Sequence, residues 1–549
     1  MSGRSKETGG GSRDAKSGGA AAGSPARPSR PAPVDADRLA AVAARFRPKG
    51  IVPAAPRPVG PVSPSAETAP QPPELPTRLV EEPGAKKAKT AAPAAKAPPR
   101  KRKTPGTDRP VAEALAERPM VEDPEVAVPE PPASSAPDPR PTREQEKQQV
   151  QELISRIVRE CPRRQPTSED ELRASRIVEE EFRRLGLVLR EHTFLFNDSL
   201  YKNSLLHAAP AVVGTAISGV APALALPLHL LPALSYYLES NRKVYLGRRL
   251  FPFKPSRNIL GILPAEGLEP ALRVVLCAHV DAAFTGFFFR PEVLKAVGRD
   301  PPLGQKWIHR AVELTVRSQF ALAAADVARM VLGPLSWPLR PLEFLLTVPS
   351  LLATLTQLDI VIRNQIVPGA NDDLSGVAAL VILARRLAAT KPPEVELVFA
   401  ATGCEEASLG GGDAIARDFD GEWDKSRTVV LGLDGLGNGQ LRYLVEEGEV
   451  TARRIPAWIE EVCRETSGSD PRFAGVTGFE VPLGGSDISA FLARGWEGVC
   501  LAAVDPEIGA PRHYHMPSDT PENLAYDEVM DSIDYAERLV RAIWRRRLG

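Results

Sequence analysis

Five short stretches of this 549-residue chain carry the side chains that bind metals and move protons. They are His279-Val280-Asp281, the run Pro368 to Gly376 (PGANDDLSG) with Asp372 and Asp373, and the pair Glu405-Glu406 after Thr402-Gly403-Cys404. Asp434 follows the run Thr428 to Leu433, and Arg512 to Thr520 (RHYHMPSDT) carries His513 and His515. Alone, each is weak. A histidine at a strand end is more often a hydrogen-bonded core residue, and a glutamate pair is usually a solvated face. Together they offer imidazole nitrogen and carboxylate oxygen in the mixture that suits zinc.

The elements around these residues place them at one edge. Arg273 to His279 (RVVLCAH) is apolar, too short for a helix and β-branched at its start, so it reads as a buried strand ending in the HVD triplet. Glu394 to Ala401 and Thr428 to Leu433 read the same way, delivering Glu405-Glu406 and Asp434 just past their carboxyl ends. Pro368 to Gly376 opens an amphipathic helix over Ser375 to Ala389, where backbone N–H groups favour anions. Sites in open α/β sheets form past the carboxyl ends of the strands.

In HVD, GANDDLSG, CEE, GLDG and HYHMPSDT the chain resembles the co-catalytic di-zinc aminopeptidases, whose fold is shared with glutamate carboxypeptidase and the transferrin receptor. The resemblance runs from about Pro166 to the C-terminus, apart from two apolar insertions. It implies an α/β fold with a mixed, mostly parallel central sheet flanked by helices, and two zinc ions per chain. It also implies that Asp372 bridges the metals, with His279 and Asp434 on one and Glu406 and His515 on the other. Asp281 would orient His279, and Glu405 would be the general base. The implied activity is removal of N-terminal residues from peptides. The alternatives are a silent scaffold of the same fold and a hydrolase or cyclase acting on another amide. Met516-Pro517 replaces the Thr more usual after the ligand His, and Ser486-Asp487 lacks the His that often follows; both departures bear on specificity.

The segment from Met1 to about Pro141 holds about half of the 55 prolines, with much Ala, Gly and Ser and few aromatics. It cannot bury enough apolar surface to offset chain entropy, so the reading is a disordered tail (1–141) before a peptidase domain (142–549). Inside it lie a basic block, Lys86 to Lys103, read as a solvated charge run, and a candidate docking helix, Asp37 to Phe46. With 69 cationic and 69 anionic side chains the net charge is zero, which supplies no steering towards nucleic acid. Five cysteines without metal-like spacing argue against a disulfide framework, and the first residues lack the apolar core of a signal peptide.

From Thr142 the composition turns globular. Helices are expected over Glu144 to Glu160 and, from a Ser168/Glu171 capping box, up to Leu185, then strands over Leu187 to Phe196 and Asn258 to Leu263. Further strands are expected around Glu396 and over Val499 to Val504, and helices over Ile455 to Glu465, Ile488 to Leu492 and Tyr526 to Leu548. The two insertions, about 203–240 and 290–362, interrupt this pattern. Asn203 to Leu238 has no formal charge outside its histidines and is broken by Gly219, Pro222, Pro227 and Pro232. Its flanking strands share one sheet, so the chain must return. The run therefore reads as a helical hairpin or an interfacial segment touching a membrane. The basic exit from Arg242 to Arg257 puts the catalytic domain on the cytoplasmic side. In the second insertion Phe344 to Leu358 is uncharged, Phe284 to Phe289 is aromatic-rich, and Trp307 and Trp337 are candidates for an interface. The bland alternative is a soluble lid.

Overall fold

A computed structural model describes residues 141–298, 310–481 and 484–549. The tail up to residue 140, with its basic block and docking-helix candidate, and Trp307 lie outside the described residues. Thr142 opens the first helix, α1 (Arg143–Glu160), through a capping box with Gln145. Helix α2 (Glu169–Arg184) begins as expected with Ser168 accepting from Glu171 N. The reciprocal half of that box is absent. The Glu171 carboxylate accepts instead from Thr167 N, Ser256 Oγ and Cys404 N.

Then follow β1 (Val188–Phe196), α3 (Leu200–Ser218), α4 (Pro222–Ser240), β2 (Lys254–Leu263), β3 (Leu272–His279), α5 (Pro291–Gly298), α6 (Ala311–Leu332), α7 (Arg340–Arg363) and α8 (Leu374–Ala388). The rest is β4 (Val395–Thr402), α9 (Gly410–Asp418), β5 (Thr428–Leu433), β6 (Gln440–Glu447), β7 (Arg453–Arg454), α10 (Ala457–Gly468), β8 (Thr477–Glu480), α11 (Asp487–Ala493), β9 (Glu497–Val504) and α12 (Tyr526–Leu548).

The strands form one mixed sheet in the order β1-β2-β4-β3-β5-β9-β6-β7, with β8 beside β6. Its centre, β4-β3-β5-β9, is parallel, and β1 with β2 forms an antiparallel edge. Every residue of β3, β4 and β5 is buried, as central parallel strands covered on both faces require. Helix α8 lies against β3 and is flanked by α1 and α12, so Leu380, Leu383, Val429, Leu539 and Val540 share one core. Its first turn presses on the end of β5: a Cβ on Gly376 would meet Leu433 O at 2.3 Å. That approach keeps the GANDDLSG loop against the strand end that carries Asp434.

The first insertion is a helical hairpin, α3 and α4, as the returning chain requires. Of the expected breaks, Gly219 and Pro222 do separate the two helices, but Pro227 and Pro232 lie inside α4, as Pro210 lies inside α3. The second insertion adds a matching hairpin, α6 and α7, joined by a 3-10 segment, Gly333–Leu339. Helix α3 packs on α4 and α7, and α6 packs on the same two, closing a four-helix bundle.

Candidate metal centre

Adjacent parallel strands β4, β3 and β5 end side by side, and the site is built on those ends. Strand β3 stops at His279, β4 leads through Thr402 into the Glu405–Ala407 turn, and β5 leads into Asp434. The loop before α8 brings in Asp372, and the 512–520 loop brings in His515.

Asp372 sits between the imidazoles. Its Oδ1 is 3.1 Å from His279 Nε2, and its Oδ2 is 3.2 Å from His515 Nε2. His515 Nε2 is also 3.2 Å from Glu406 Oε1, and Glu405 Oε2 lies 4.0 Å from His279 Nε2. Ligand atoms of His279, Asp372 and Glu406 all fall within 4.8 Å of one another, and so do those of His279, Asp373 and Asp434. Asp373 in the second group is already committed: it caps α8 through Gly376 N and accepts from His279 N and Gly435 N. Asp372 has no such duty, and its buried Oδ2 lacks a hydrogen-bond donor.

Two imidazoles therefore face four carboxylates in a buried space. Burial raises the Glu405 carboxyl well above the usual range against the pull of His279, and burial with Asp372 pushes Asp434 to about 7. Burial disfavours charge on His515, but Glu406 and Asp372 outweigh it and lift the ring to about 10. The surplus of carboxylate, with an orphaned oxygen at its centre, is the environment a divalent cation relieves.

Asp281 departs from expectation. His279 Nδ1 lies 3.2 Å from the backbone oxygen of Asp281, while the carboxylate Oδ1 is 3.6 Å away, beyond a hydrogen bond. That carboxylate instead accepts from Glu405 N at 3.1 Å and Glu406 N at 2.9 Å. It fixes the Glu405–Glu406 turn, and the backbone orients the imidazole. His513 stays outside the cluster, its Nδ1 2.9 Å from Ser518 Oγ. Ser486 caps α11 and holds Glu447, and Asp487 accepts from Thr402 Oγ1 and Gly412 N, so that pair serves the framework.

Several supporting residues escaped sequence reasoning. Asp519 accepts from Asn371 N and Asp372 N, holding the central carboxylate's backbone; its signal was membership of the HYHMPSDT motif. Arg164, fully buried, donates to Val280 O, Pro368 O and Gly369 O and so ties the end of β3 to the loop before Asp372. The aromatic run 284–289 lies by the metal centre, where Phe289 sits 4.4 Å from the His515 ring. Tyr201, from the first turn of α3, places its hydroxyl 3.4 Å from His515 Nδ1.

Residues 356–540 match the model of Peptidase family M28. The resemblance carried by the motifs stands, and it supports a metal-dependent peptidase. The match takes in Asp372, Glu405, Glu406, Asp434 and His515. His279 and Asp281 precede it, separated by the second insertion. Among solved structures the chain is similar to BSAP, a zinc aminopeptidase from Bacillus subtilis, with 15% identity over 72% of this chain and 94% of that one and a TM-score of 0.42. It is also similar to an aminopeptidase from Aneurinibacillus sp. strain AM-1, with 15% identity, 72% and 93% coverage and a TM-score of 0.41. A Porphyromonas gingivalis glutaminyl cyclase aligns at 12% identity, covering 72% and 97%, with a TM-score of 0.40.

Proposed function

We propose that this chain is a di-zinc aminopeptidase that removes N-terminal residues from peptides. The observation that carries the reading is Asp372, whose two oxygens face His279 on one side and His515 on the other. In this reading Asp372 would be shared by the two ions, with His279 and Asp434 holding one and Glu406 and His515 the other, and the zinc so held would supply an acidified water and a Lewis acid for the scissile carbonyl.

The chain's own residues do the rest. Glu405, unattached to the imidazoles at 4.0 Å, takes the proton of the attacking water on its carboxylate and returns it to the leaving amine. Asp281 keeps that carboxylate in place by gripping the backbone of its turn.

The division into a tail (1–141) and a peptidase domain (142–549) belongs to this proposal. So does membrane association through the insertions, with the catalytic domain cytoplasmic. The test is Glu405→Gln, which should retain two zinc ions per chain by elemental analysis while losing about 10²- to 10⁴-fold in peptide hydrolysis. Undiminished turnover rejects Glu405 as the base, and one zinc per chain rejects the two-metal assignment.

A further inference from the structure

The four insertion helices are built inside out. In α3, α4, α6 and α7 the only large aliphatic side chains buried are Val316, Leu322 and Ile360. Apart from Tyr201 and Tyr236, near the end that joins the sheet, the interior is otherwise small or polar, with Ala211, Gly214 and Ala233 at the contacts and a chain of hydrogen bonds between helices. Asp326 accepts from Ser218 Oγ at 2.5 Å and lies 2.6 Å from His229 Nδ1. Thr215 and Thr347 hydroxyls meet at 2.6 Å, Gln319 donates to Ser350 at 3.1 Å, and Arg329 grips both oxygens of Glu343.

Beyond Arg317 near the start of α6, the outside is apolar on all four helices: Val213, Leu231, Val331 and Leu352 are each exposed by 54% or more. Ala311–Arg363, which holds α6 and α7, is the one segment among the described residues long and apolar enough to cross a membrane, and only 17% of its most apolar window is buried. Water-soluble bundles put their leucines inside and their charges outside. Small residues at helix contacts, polar side chains as glue and an apolar exterior are the arrangement of helices packed within lipid.

Three further features agree. The helices have 19, 19, 22 and 24 residues, and the shortest reach about 28 Å, close to the hydrocarbon thickness of a bilayer at about 30 Å. They continue through Pro210, Pro227, Pro232 and Pro349, which lipid-embedded helices tolerate. Leu200, Ser240 and Arg363, where the described chain passes between the bundle and the peptidase sheet, lie at one end, with Arg242, Lys243 and Arg249. The opposite end has two apolar tips, with Val220 exposed by 89% and Leu335 by 80%. An apolar belt contributed by every helix also argues against a protein partner, which covers one face.

Resting on the membrane-associated reading, we propose that α3, α4, α6 and α7 cross a lipid bilayer, with the tips 219–221 and 333–339 on the face opposite the metal centre. The bundle's base then forms part of the site, because Tyr201 lies beside His515 and Arg248 Nη1 donates to Ala407 O at 2.7 Å. The metal centre is held at the membrane surface and takes peptides whose N-termini reach it there.

Side-specific labelling of the full chain tests this. All five native cysteines are buried. Val220→Cys and Leu335→Cys mark the tips, and Arg249→Cys marks the base. With a membrane-impermeant maleimide, tips and base are expected to react from opposite sides, one set in intact cells and the other only in inverted vesicles. Tips and base reacting from the same side overturn the crossing while leaving membrane association intact. Tips that react from neither side end inside the lipid and overturn it equally. Protein that stays soluble without detergent overturns both. None of these outcomes depends on peptide hydrolysis.

Discussion

Asp372 is held through its own backbone by neighbouring side chains, which leaves its carboxylate to face the imidazoles of His279 and His515. Asp519 fixes its amide, and Arg164 fixes the loop before it. Burial pulls the Arg164 guanidinium down to about 10, against nearby groups that include Asp519 and Asp281, which leaves it charged at neutral pH. Arg164→Met would take this donor from four carbonyl oxygens, those of Cys161, Val280, Pro368 and Gly369, each costing about 1–3 kcal/mol if left unpaired. The expected result is a large loss in denaturation midpoint together with weakened zinc retention. Full zinc content at lowered stability would mean that Arg164 supports the core but does not position Asp372.

A second residue-scale prediction concerns pH. Glu447 is buried and accepts from Ser486 N, Ser486 Oγ and Ser489 Oγ, and burial pushes its carboxyl up to about 7 despite those donors. Its folded value exceeds its unfolded one, so its protonated form favours folding. That contribution is complete below the ordinary value near 4.3 and disappears as pH rises to about 7. Glu447→Gln removes the titration. Its melting temperature should gain on the native chain between about pH 4.5 and 7 and hold a constant lead above that range. A constant difference across the whole range refutes the shift.

At the scale of elements, the ligands were legible because each follows an apolar run whose length and β-branching mark a buried strand. His279, Glu405-Glu406 and Asp434 could be placed at strand ends before the strands were seen to be neighbours. Arg164 and Tyr201 were not legible. An arginine in CPRRQP looks like a solvated loop, and only the tertiary fold puts the first turn of an insertion helix beside His515. The prolines in α4 misled too, because the helix runs through Pro227 and Pro232 without a break. The joint between bundle and sheet gives the prediction for this scale. Arg248 donates to Glu239 Oε1 through Nε at 2.7 Å and to Ala407 O, both partners being buried. Arg248→Leu strands a buried carboxylate and should cost about 3–5 kcal/mol, whereas adding Glu239→Leu should recover most of it. Because Ala407 closes the turn bearing Glu405, kcat should fall in both variants with KM little changed. Full kcat in the double variant would show the joint to be structural only.

For the molecule as a whole, the sheet brings six ionisable side chains from five separate stretches into one buried space, at a cost that the hydrophobic core must carry when no cation is there. The carboxylates of Glu405, Glu406 and Asp434 are all raised by burial, which is that cost expressed as proton affinity. A divalent ion bound only by the folded chain stabilises it by about 4 kcal/mol when free metal is 1,000 times its dissociation constant. For a domain of this size each kcal/mol moves the melting temperature by about 2 °C, so removing zinc with a chelator should lower it by roughly 8 °C. Asp372→Asn keeps the volume of the central side chain but halves its capacity to bridge, and it should melt at nearly the same temperature with or without chelator. Sensitivity to chelation that persists undiminished in this variant would place the stabilising metal elsewhere, and Asp372 would lose its role as the bridge.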